Sequence, residues 1–287
     1  MAPSAPAYSL GFSPCPNDTF IFHALVHGLL GAECPRFAAP ELADVETLNE
    51  WAFTGRLDVT KLSFHAYGQV MDRYVLLSAG SALGRGCGPL LVAKRPLDFA
   101  ALAGLTIAIP GRYTTAALLL RLFAPACTQL VAMRFDQIMP AVASGAVDAG
   151  VIIHESRFTY PQYGLTLIQD LGQWWEEVVG LPIPLGGIAA KRSLGEAAIR
   201  AIDRAVRASV RLAFSAPQTA MPYIRQHAQE LDEAVIASHI GLYVNDYSEN
   251  LGPEGLAAVG EFLRRGVEAG VLPPLPELRL VIQPTGE

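Results

Sequence analysis

One histidine stands at the end of an apolar segment near the middle of the chain. His154 follows residues 149–153, none of which is charged, and Glu155 comes directly after it. Such a run predicts a buried strand, and an imidazole at its end titrates near neutral pH, which suits a general base. The same position also suits a core histidine that is hydrogen-bonded to a backbone carbonyl. Both interpretations stay open from the residues alone.

The segment 111–115, Gly-Arg-Tyr-Thr-Thr, joins a strand-like stretch to a helix-like one. Its backbone N–H groups and the hydroxyls of Thr114 and Thr115 suit a carboxylate or a phosphate, because the first N–H groups of a helix have no partner within the helix. The alternative is that the threonines only cap a buried helix, since capping and ligand binding compete for the same groups.

Two polar segments occur earlier in the chain. Lys61, Leu62 and Ser63 end a strand-like run, so that Ser63 can hydrogen-bond a ligand and Lys61 can attract its charge. Ser13 and Asn17 lie in a strand-to-helix turn and are further candidates for ligand contact. A solvated lysine beside a buried leucine, and a turn whose polar groups serve only its own geometry, are the ordinary alternatives.

Metal and cofactor motifs are missing from the sequence. His23 and His27 have the spacing of helical zinc ligands, but no glutamate of an H-E-x-x-H motif and no obvious third ligand accompany them. We therefore expect these two histidines to serve helix packing. Because G-x-G-x-x-G, P-loop and G-x-S-x-G motifs are also missing, we expect neither a metal nor a cofactor.

Composition narrows the class of protein. The 287 residues are 51% hydrophobic and 17% charged, which predicts a globular chain of about two domains. The 21 lysines and arginines face 27 acidic residues and form no basic block, so we expect neither nucleic acid nor an anionic membrane as partner. The expected partner is a small molecule, and the oligomeric state is left open.

The expected location is the cytoplasm. No apolar run approaches the roughly 20 residues that span a bilayer, and the N-terminus has no secretory signal pattern. The four cysteines are scattered without a C-x-x-C pair, so they are predicted to be buried thiols in a reducing compartment. These cysteines are Cys15, Cys34, Cys87 and Cys127.

The chain contains a weak internal repeat. Residues 8–14 and 105–111 are strand-like and each leads through a proline and a polar turn into an apolar helical stretch. Residues 45–63 and 135–155 each read as a helix, a glycine turn, an aspartate and a strand. Each half is therefore predicted to be a βα…αβ unit. The helices after the two turns are expected to start at favourable N-cap types, namely Asn17, Asp18 and Thr19, or Thr114 and Thr115.

The repeat predicts an α/β protein of two lobes. Residues 88–97 and 184–194 both end in Ala-Lys-Arg and are interpreted as a pair of hinge strands. Residues 1–89 and 187–287 then form the first lobe, whose C-terminal helices pack back on it, and residues 90–186 form the second. Since ligands of open α/β sheets lie beyond the carboxyl ends of the strands, the cleft between the lobes is the predicted site.

Four segments carry a resemblance to a known family: GFSPCPNDTFIFHALVHG, VTKLS, GRYTTA and GVIIHESRFTYP. Together they resemble the 1,4-dihydroxy-6-naphthoate synthases of the futalosine route to menaquinone, over nearly the whole chain. The resemblance implies a type II periplasmic-binding-protein fold used for catalysis. It also implies a lyase that converts cyclic dehypoxanthinyl futalosine to 1,4-dihydroxy-6-naphthoate and a three-carbon fragment, without a cofactor.

The resemblance also implies roles for individual residues. The catalytic base of the family falls on His154. Its substrate contacts fall on Lys61, Leu62, Ser63, Thr114 and Thr115. The carboxylate of the substrate is expected at the helix end formed by the two threonines.

Two other functions are kept as alternatives. The chorismate dehydratase of the same pathway shares the fold and also binds a carboxylated ring, but the SPCPNDTF and IHES motifs favour the synthase. A solute-binding protein of a transporter belongs to another class, and the lack of a signal peptide or a lipidation cysteine argues against it.

Overall fold

The computed structural model describes residues 7–32, 34–228 and 232–276, which form two sheets flanked by helices. The α/β architecture predicted from the sequence is therefore confirmed. Residues 1–6, 33, 229–231 and 277–287 of the predicted first lobe lie outside the described residues. No helix among the described residues has the length and apolar character that a bilayer span requires.

The first sheet has six strands. The strand that returns from the second lobe lies inside this sheet and is antiparallel to the strands beside it. The strands are β1 (Leu10–Phe12), β2 (Glu41–Leu42), β3 (Val59–Ser63), β4 (Tyr74–Leu76), β5 (Ala82–Gly84) and β11 (Ile183–Lys191). Their order is β2-β1-β3-β11-β4, and β5 also pairs with β11. β1 runs parallel to β2 and β3, whereas β11 runs antiparallel to β3, β4 and β5.

The second sheet is formed by the central part of the chain. Its strands are β6 (Leu90–Ala93), β7 (Ile107–Ile109), β8 (Leu130–Ala132), β9 (Ala149–Ile152) and β10 (Thr166–Asp170), in the order β10-β6-β9-β7-β8. β7 is parallel to β8 and β9, and β6 is antiparallel to β9 and β10. All five strands lie inside the predicted second lobe, while the exact boundaries at residues 89 and 187 stay a prediction.

The helices divide between the two sheets. The second sheet carries α4 (Thr115–Phe123), α5 (Phe135–Ser144), α6 (Ser156–Thr159) and α7 (Leu171–Val179). The first carries α1 (Pro16–Val26), α2 (Val45–Phe53), α3 (Phe64–Gln69), α8 (Glu196–Ser215), α9 (Met221–His227), α10 (Glu233–Tyr243), α11 (Asp246–Glu249) and α12 (Gly252–Glu268). Helices α8, α9 and α10 pack on α1, and α12 packs on α3 and β11.

The repeated helix–glycine–aspartate–strand pattern is present in both lobes. Asp58 accepts hydrogen bonds from the backbone N–H and the hydroxyl of Ser9, at 3.0 and 2.9 Å. Asp148 accepts one from the backbone N–H of Thr106 at 2.8 Å. Each aspartate thus precedes one strand and ties it to the start of the neighbouring parallel strand. The repeat seen in the sequence therefore serves sheet assembly.

Two local predictions are wrong. The segments interpreted as a pair of hinge strands lie in different sheets, because β6 pairs with β9 and β10 whereas β11 pairs with β3, β4 and β5. Helix α1 begins at Pro16 and not at Asn17 to Thr19, and its N-cap residue is Cys15. Proline suits the first helical position because its fixed φ is already helical and its missing N–H has no partner to lose there.

Candidate active site

A cleft lies between the two sheets, and all the residues that the sequence analysis proposed for catalysis or substrate contact line it. Strand ends and helix starts of both lobes meet there, as predicted. The lining residues predicted from the sequence are Ser13, Asn17, Lys61, Leu62, Ser63, Thr114, Thr115 and His154.

A buried carboxylate organises the wall contributed by the first lobe. Asp18 accepts hydrogen bonds from the backbone N–H and the hydroxyl of Ser13, from the amide of Asn17 and from the ammonium of Lys61. The Lys61 Nζ to Asp18 Oδ1 distance is 2.8 Å, and the two side chains are 7% and 1% exposed. Sequence reasoning placed Asp18 in the turn but did not identify it as the partner of Lys61.

This ion pair changes the role expected of Lys61. The charge of the ammonium is matched by Asp18, so it is not a free cation that waits for an anionic ligand. A lysine ammonium has three N–H donors, and Asp18 takes one of them. Lys61 therefore presents donors to the cleft from a pair that is neutral overall.

Asn49, which sequence reasoning missed, joins the two lobes at the edge of the site. Its Oδ1 accepts from the backbone N–H of Ser63 at 2.9 Å, and its amide donates to the hydroxyl of Ser63 at 3.1 Å. The same amide also lies 3.3 Å from the backbone carbonyl of Tyr113 in the second lobe. Ser63 is thus held in place by a side chain of its own lobe, and the same side chain also contacts the second lobe.

The turn at residues 111–115 receives a carboxylate from the protein itself. The N–H of Tyr113 donates to the two oxygens of Glu46, at 3.0 and 3.2 Å, and Glu46 belongs to the first lobe. Burial raises the pKa of Glu46, and the hydrogen bonds from Tyr113 and Asn49 offset part of that rise. The turn therefore attracts an anion, as its residues suggest, but the group bound in this structure is Glu46.

The two threonines of this turn both have partners. Thr114 is the N-cap of α4 and accepts from the N–H of Ala117 at 3.2 Å, which fits the capping interpretation. The hydroxyl of Thr115 donates to the carbonyl of Leu185 at 2.6 Å and accepts from the N–H of Phe64 at 3.1 Å. Both side chains are buried and line the cleft, so their arrangement is fixed before any ligand arrives.

His154 has the one positive φ angle, 58°, among the non-glycine residues that the structure describes. A left-handed backbone is costly for a side chain with a Cβ, and such strain concentrates at functional sites. It lies two residues beyond the end of β9, and its side chain lines the cleft. The ring makes an edge-to-face contact with Phe135 of the same lobe, with centroids 5.1 Å apart.

The electrostatic surroundings favour the neutral form of His154. Burial lowers its pKa below the usual 6.5, while the nearby carboxylates Glu155 and Asp18 oppose that shift and Lys61 adds to it. No hydrogen bond to its ring nitrogens occurs within the described ranges. A neutral imidazole with an unoccupied nitrogen in a cleft is able to accept a proton from a bound molecule.

His239 of α10, also missed from the sequence, stacks on His154 from the opposite lobe. The ring centroids are 5.9 Å apart and the planes are inclined by 20°. His239 is fully buried, and its Nε2 lies 2.9 Å from Oδ1 of Asn17, which is in α1. Burial, and then the proximity of His154, lower the pKa of His239 well below 6.5.

The cysteines are free in this structure. Cys15, Cys87 and Cys127 are buried as predicted, whereas Cys34 is only half-buried, which corrects that prediction. Burial raises the pKa of Cys87 to about 12, so it is a thiol at neutral pH and not a nucleophile.

The two histidines with zinc-like spacing do lie together. The rings of His23 and His27 are 4.5 Å apart, and both pack near Tyr223. In the part of the chain that the structure describes, no group of three or more histidine, cysteine, aspartate or glutamate side chains is arranged to hold a metal.

Comparison with known proteins identifies relatives along almost the whole chain. The model of a family described as menaquinone biosynthesis matches residues 8–268. A protein of Thermus thermophilus named 1,4-dihydroxy-6-naphthoate synthase is 56% identical over 94% of this chain and 97% of its own. A Streptomyces coelicolor protein of the same name is 47% identical, over 95% of this chain and 97% of its own.

Solved structures agree with the two-lobed architecture. A crystal structure of an Archaeoglobus fulgidus protein is 38% identical, with a TM-score of 0.87 over 93% of this chain and 98% of that one. The periplasmic aliphatic sulphonate binding protein SsuA of Escherichia coli is 16% identical, with a TM-score of 0.66 over 98% of this chain and 94% of that one. The latter likeness concerns the fold alone and confirms a periplasmic-binding-protein-like architecture. The match to the family model and the high identity to two synthases over most of their length place this chain in the menaquinone biosynthesis family.

Proposed function

We propose that this chain is a 1,4-dihydroxy-6-naphthoate synthase, a lyase of menaquinone biosynthesis, with His154 as its general base. The substrate is cyclic dehypoxanthinyl futalosine, and the products are 1,4-dihydroxy-6-naphthoate and a three-carbon fragment. The activity rests on the two relatives of that name at 56% and 47% identity. The role of His154 rests on one observation, a strained histidine whose ring nitrogens have no hydrogen-bond partner among the described residues and whose side chain lines the cleft.

Proton removal by His154 starts the reaction in this proposal. The imidazole, kept neutral by burial, accepts a proton from the substrate, which begins carbon–carbon cleavage and aromatisation of the new ring. Glu155 and Asp18 favour the imidazolium that results, since both carboxylates oppose the depression of its pKa. Aromatisation supplies much of the driving force, so one well-placed base is sufficient and no cofactor is required.

The other cleft residues bind and orient the substrate. Lys61 and Ser63 offer polar contacts on the first lobe, beside Leu62, and the start of α4 at Thr114 and Thr115 faces them from the second. Ser13 and Asn17 extend the first wall. The substrate carboxylate is placed near the start of α4, where it competes with Glu46 for the N–H of Tyr113. Holding the substrate between the two walls supplies the orientation that the reaction needs.

The test is to incubate purified protein with cyclic dehypoxanthinyl futalosine, without added metal or nucleotide, and to follow the naphthoate by liquid chromatography and mass spectrometry. We expect product from the natural chain and loss of product from His154→Ala. His227→Ala is the matched control, because this histidine packs on Tyr223 at the surface of α9. Wild-type turnover by His154→Ala would exclude the base role.

A parallel incubation with chorismate separates the synthase from the dehydratase that shares its fold. Consumption of chorismate, with no naphthoate formed from the futalosine derivative, would move the assignment to the dehydratase. We place the enzyme in the cytoplasm, in accord with its four free cysteines. Cell fractionation tests that location, and recovery outside the cytoplasmic membrane would favour a solute-binding protein.

A further inference from the structure

His154 is held between side chains of the two lobes. Phe135, at the start of α5, makes an edge-to-face contact with its ring from the second lobe, and His239 stacks on it from the first. Because the ring nitrogens of His154 have no hydrogen-bond partner within the described ranges, these two ring contacts are the ones that orient the imidazole. The contact with His239 exists only when the lobes are together.

The orientation of His239 is itself fixed. The amide of Asn17 donates to Asp18 at 2.9 Å, so the Oδ1 of Asn17 is its acceptor atom and takes the N–H of His239 Nε2. In the neutral ring, Nδ1 then carries a lone pair. Among the described residues, neither this buried atom nor the buried Oε2 of Glu155 has a hydrogen-bond partner, and the two lie 3.9 Å apart, which is beyond a direct bond.

We propose that His239 is a positioning residue, which holds the imidazole of His154 in its reactive orientation across the cleft and is anchored in turn by Asn17. The proposal rests on the role of His154 as general base. Proximity effects are steep, and misplacement of a reacting group by about 1 Å can lower a rate about 100-fold. His239 thereby makes the geometry of the base depend on closure of the lobes, since the two rings belong to different lobes.

Two variants separate the stack from the anchor. His239→Phe keeps a flat ring against His154 but leaves Oδ1 of Asn17 without its donor, whereas His239→Gln keeps a donor for Asn17 and removes the ring. We expect kcat to fall about 10- to 100-fold in His239→Gln. The fall in His239→Phe is expected to be smaller, and KM should change far less than kcat in both.

Thermal unfolding of the same two variants provides a readout that a purely structural role would not give. A buried acceptor without a donor is costly, so His239→Phe should have the lower Tm of the two while keeping the higher kcat. If His239 only supported the fold, activity would follow Tm and the order of the two kcat values would be reversed. That reversal would overturn the proposal.

The pH profile of kcat/KM gives a second readout. Glu155, Asp18, Lys61 and Asp44 are the charged groups that act on His154, and they are present in every variant. Removing the stacked ring in His239→Gln admits water to His154, so the acid limb should move toward higher pH as the pKa returns toward 6.5. His239→Phe keeps the ring covered and should leave the limb at or below its wild-type position.

The outcomes distinguish this proposal from the proposed function. An inactive His154→Ala together with wild-type kcat in both His239 variants would overturn the positioning role and leave the base assignment intact. An active His154→Ala would overturn both. His227→Ala serves again as the control and should keep the wild-type kcat and pH profile.

Discussion

The two lobes share one plan, a strand and helix followed by a helix and strand, but they end their second strand differently. In the first lobe, β3 ends at Ser63 with an ordinary extended backbone, and α3 begins at once. In the second lobe, β9 leads to His154 with φ at 58°. The regular end carries a buried polar network that fixes one wall, and the strained end carries the proposed base. The proposed function thus assigns binding to one strand end and chemistry to the other.

The largest expected effect contrasts the two strand ends directly. We expect His154→Gln to lower kcat about 10²- to 10⁴-fold, the usual contribution of a positioned general base. Ser63→Ala removes a single neutral hydrogen-bonding group, so kcat/KM should fall about tenfold or less, mainly through KM. Steady-state kinetics on both variants measures the contrast. Equal losses in kcat would show that the lobes do not divide binding from chemistry.

The buried ion pair in the wall of the first lobe should have the largest effect of these predictions on the free energy of unfolding. Lys61→Met leaves the carboxylate of Asp18 buried without its ion-pair partner, which should lower the free energy of unfolding by about 3–5 kcal/mol. Urea denaturation at neutral pH measures the loss. The double variant Lys61→Met/Asp18→Asn is the control and should recover much of it, because no unpaired charge remains. A single variant as stable as the natural protein would mean that the pair is not buried in solution.

The two repeated aspartates allow a matched comparison between lobes. Asp58 holds the N–H and the hydroxyl of Ser9 and pairs with Lys191, whereas Asp148 is exposed and receives the N–H of Thr106. At about 1 kcal/mol for each hydrogen bond with Ser9 or Thr106, and little for the partly exposed pair with Lys191, Asp58→Ala should cost about 2 kcal/mol of unfolding free energy and Asp148→Ala about 1 kcal/mol. Denaturation curves of the two variants show which one loses more unfolding free energy. A larger loss from Asp148→Ala would contradict the bond count.

The smallest effect concerns the carboxylate that links the lobes. Burial raises the pKa of Glu46 above its usual 4.5. Between these two pKa values, the folded state therefore binds more protons than the unfolded state. Wild-type stability should therefore fall, through this group, as the pH rises from the ordinary carboxyl range. Glu46→Gln cannot titrate at this position, so its unfolding free energy should rise relative to that of the natural protein when the pH is raised from 4 to 7. A difference independent of pH would show that Glu46 does not titrate abnormally.

The fold and the members of the cleft were predictable because their signals are local. Thr114 has the residue type and position of an N-cap, and Gly145 followed by Asp148 repeats the order of Gly55 and Asp58. Pro16 also signalled the true start of α1, although the prediction placed that start later. Buried strands, caps and glycine turns depend on neighbouring residues, so the order of letters is enough to place them.

The partners inside the cleft were not predictable in the same way. Lys61 meets Asp18 across 43 residues, and His239 meets Asn17 across 222. Nothing in the local sequence of α10 distinguishes His239 from a histidine on any amphipathic helix. These contacts join elements of the first lobe that are distant in the chain, and a single sequence carries no direct record of how such elements pack.

The contacts of Tyr113 with Glu46 and Asn49 have a kinetic consequence. They span the two lobes, so we expect release of the proposed aromatic product to require that they break. When chemistry is fast, this opening takes up most of each catalytic cycle, and product accumulates on the enzyme before the steady state. Turnover then responds to solvent viscosity more than to isotopic substitution of the substrate, and the first turnover is faster than those that follow.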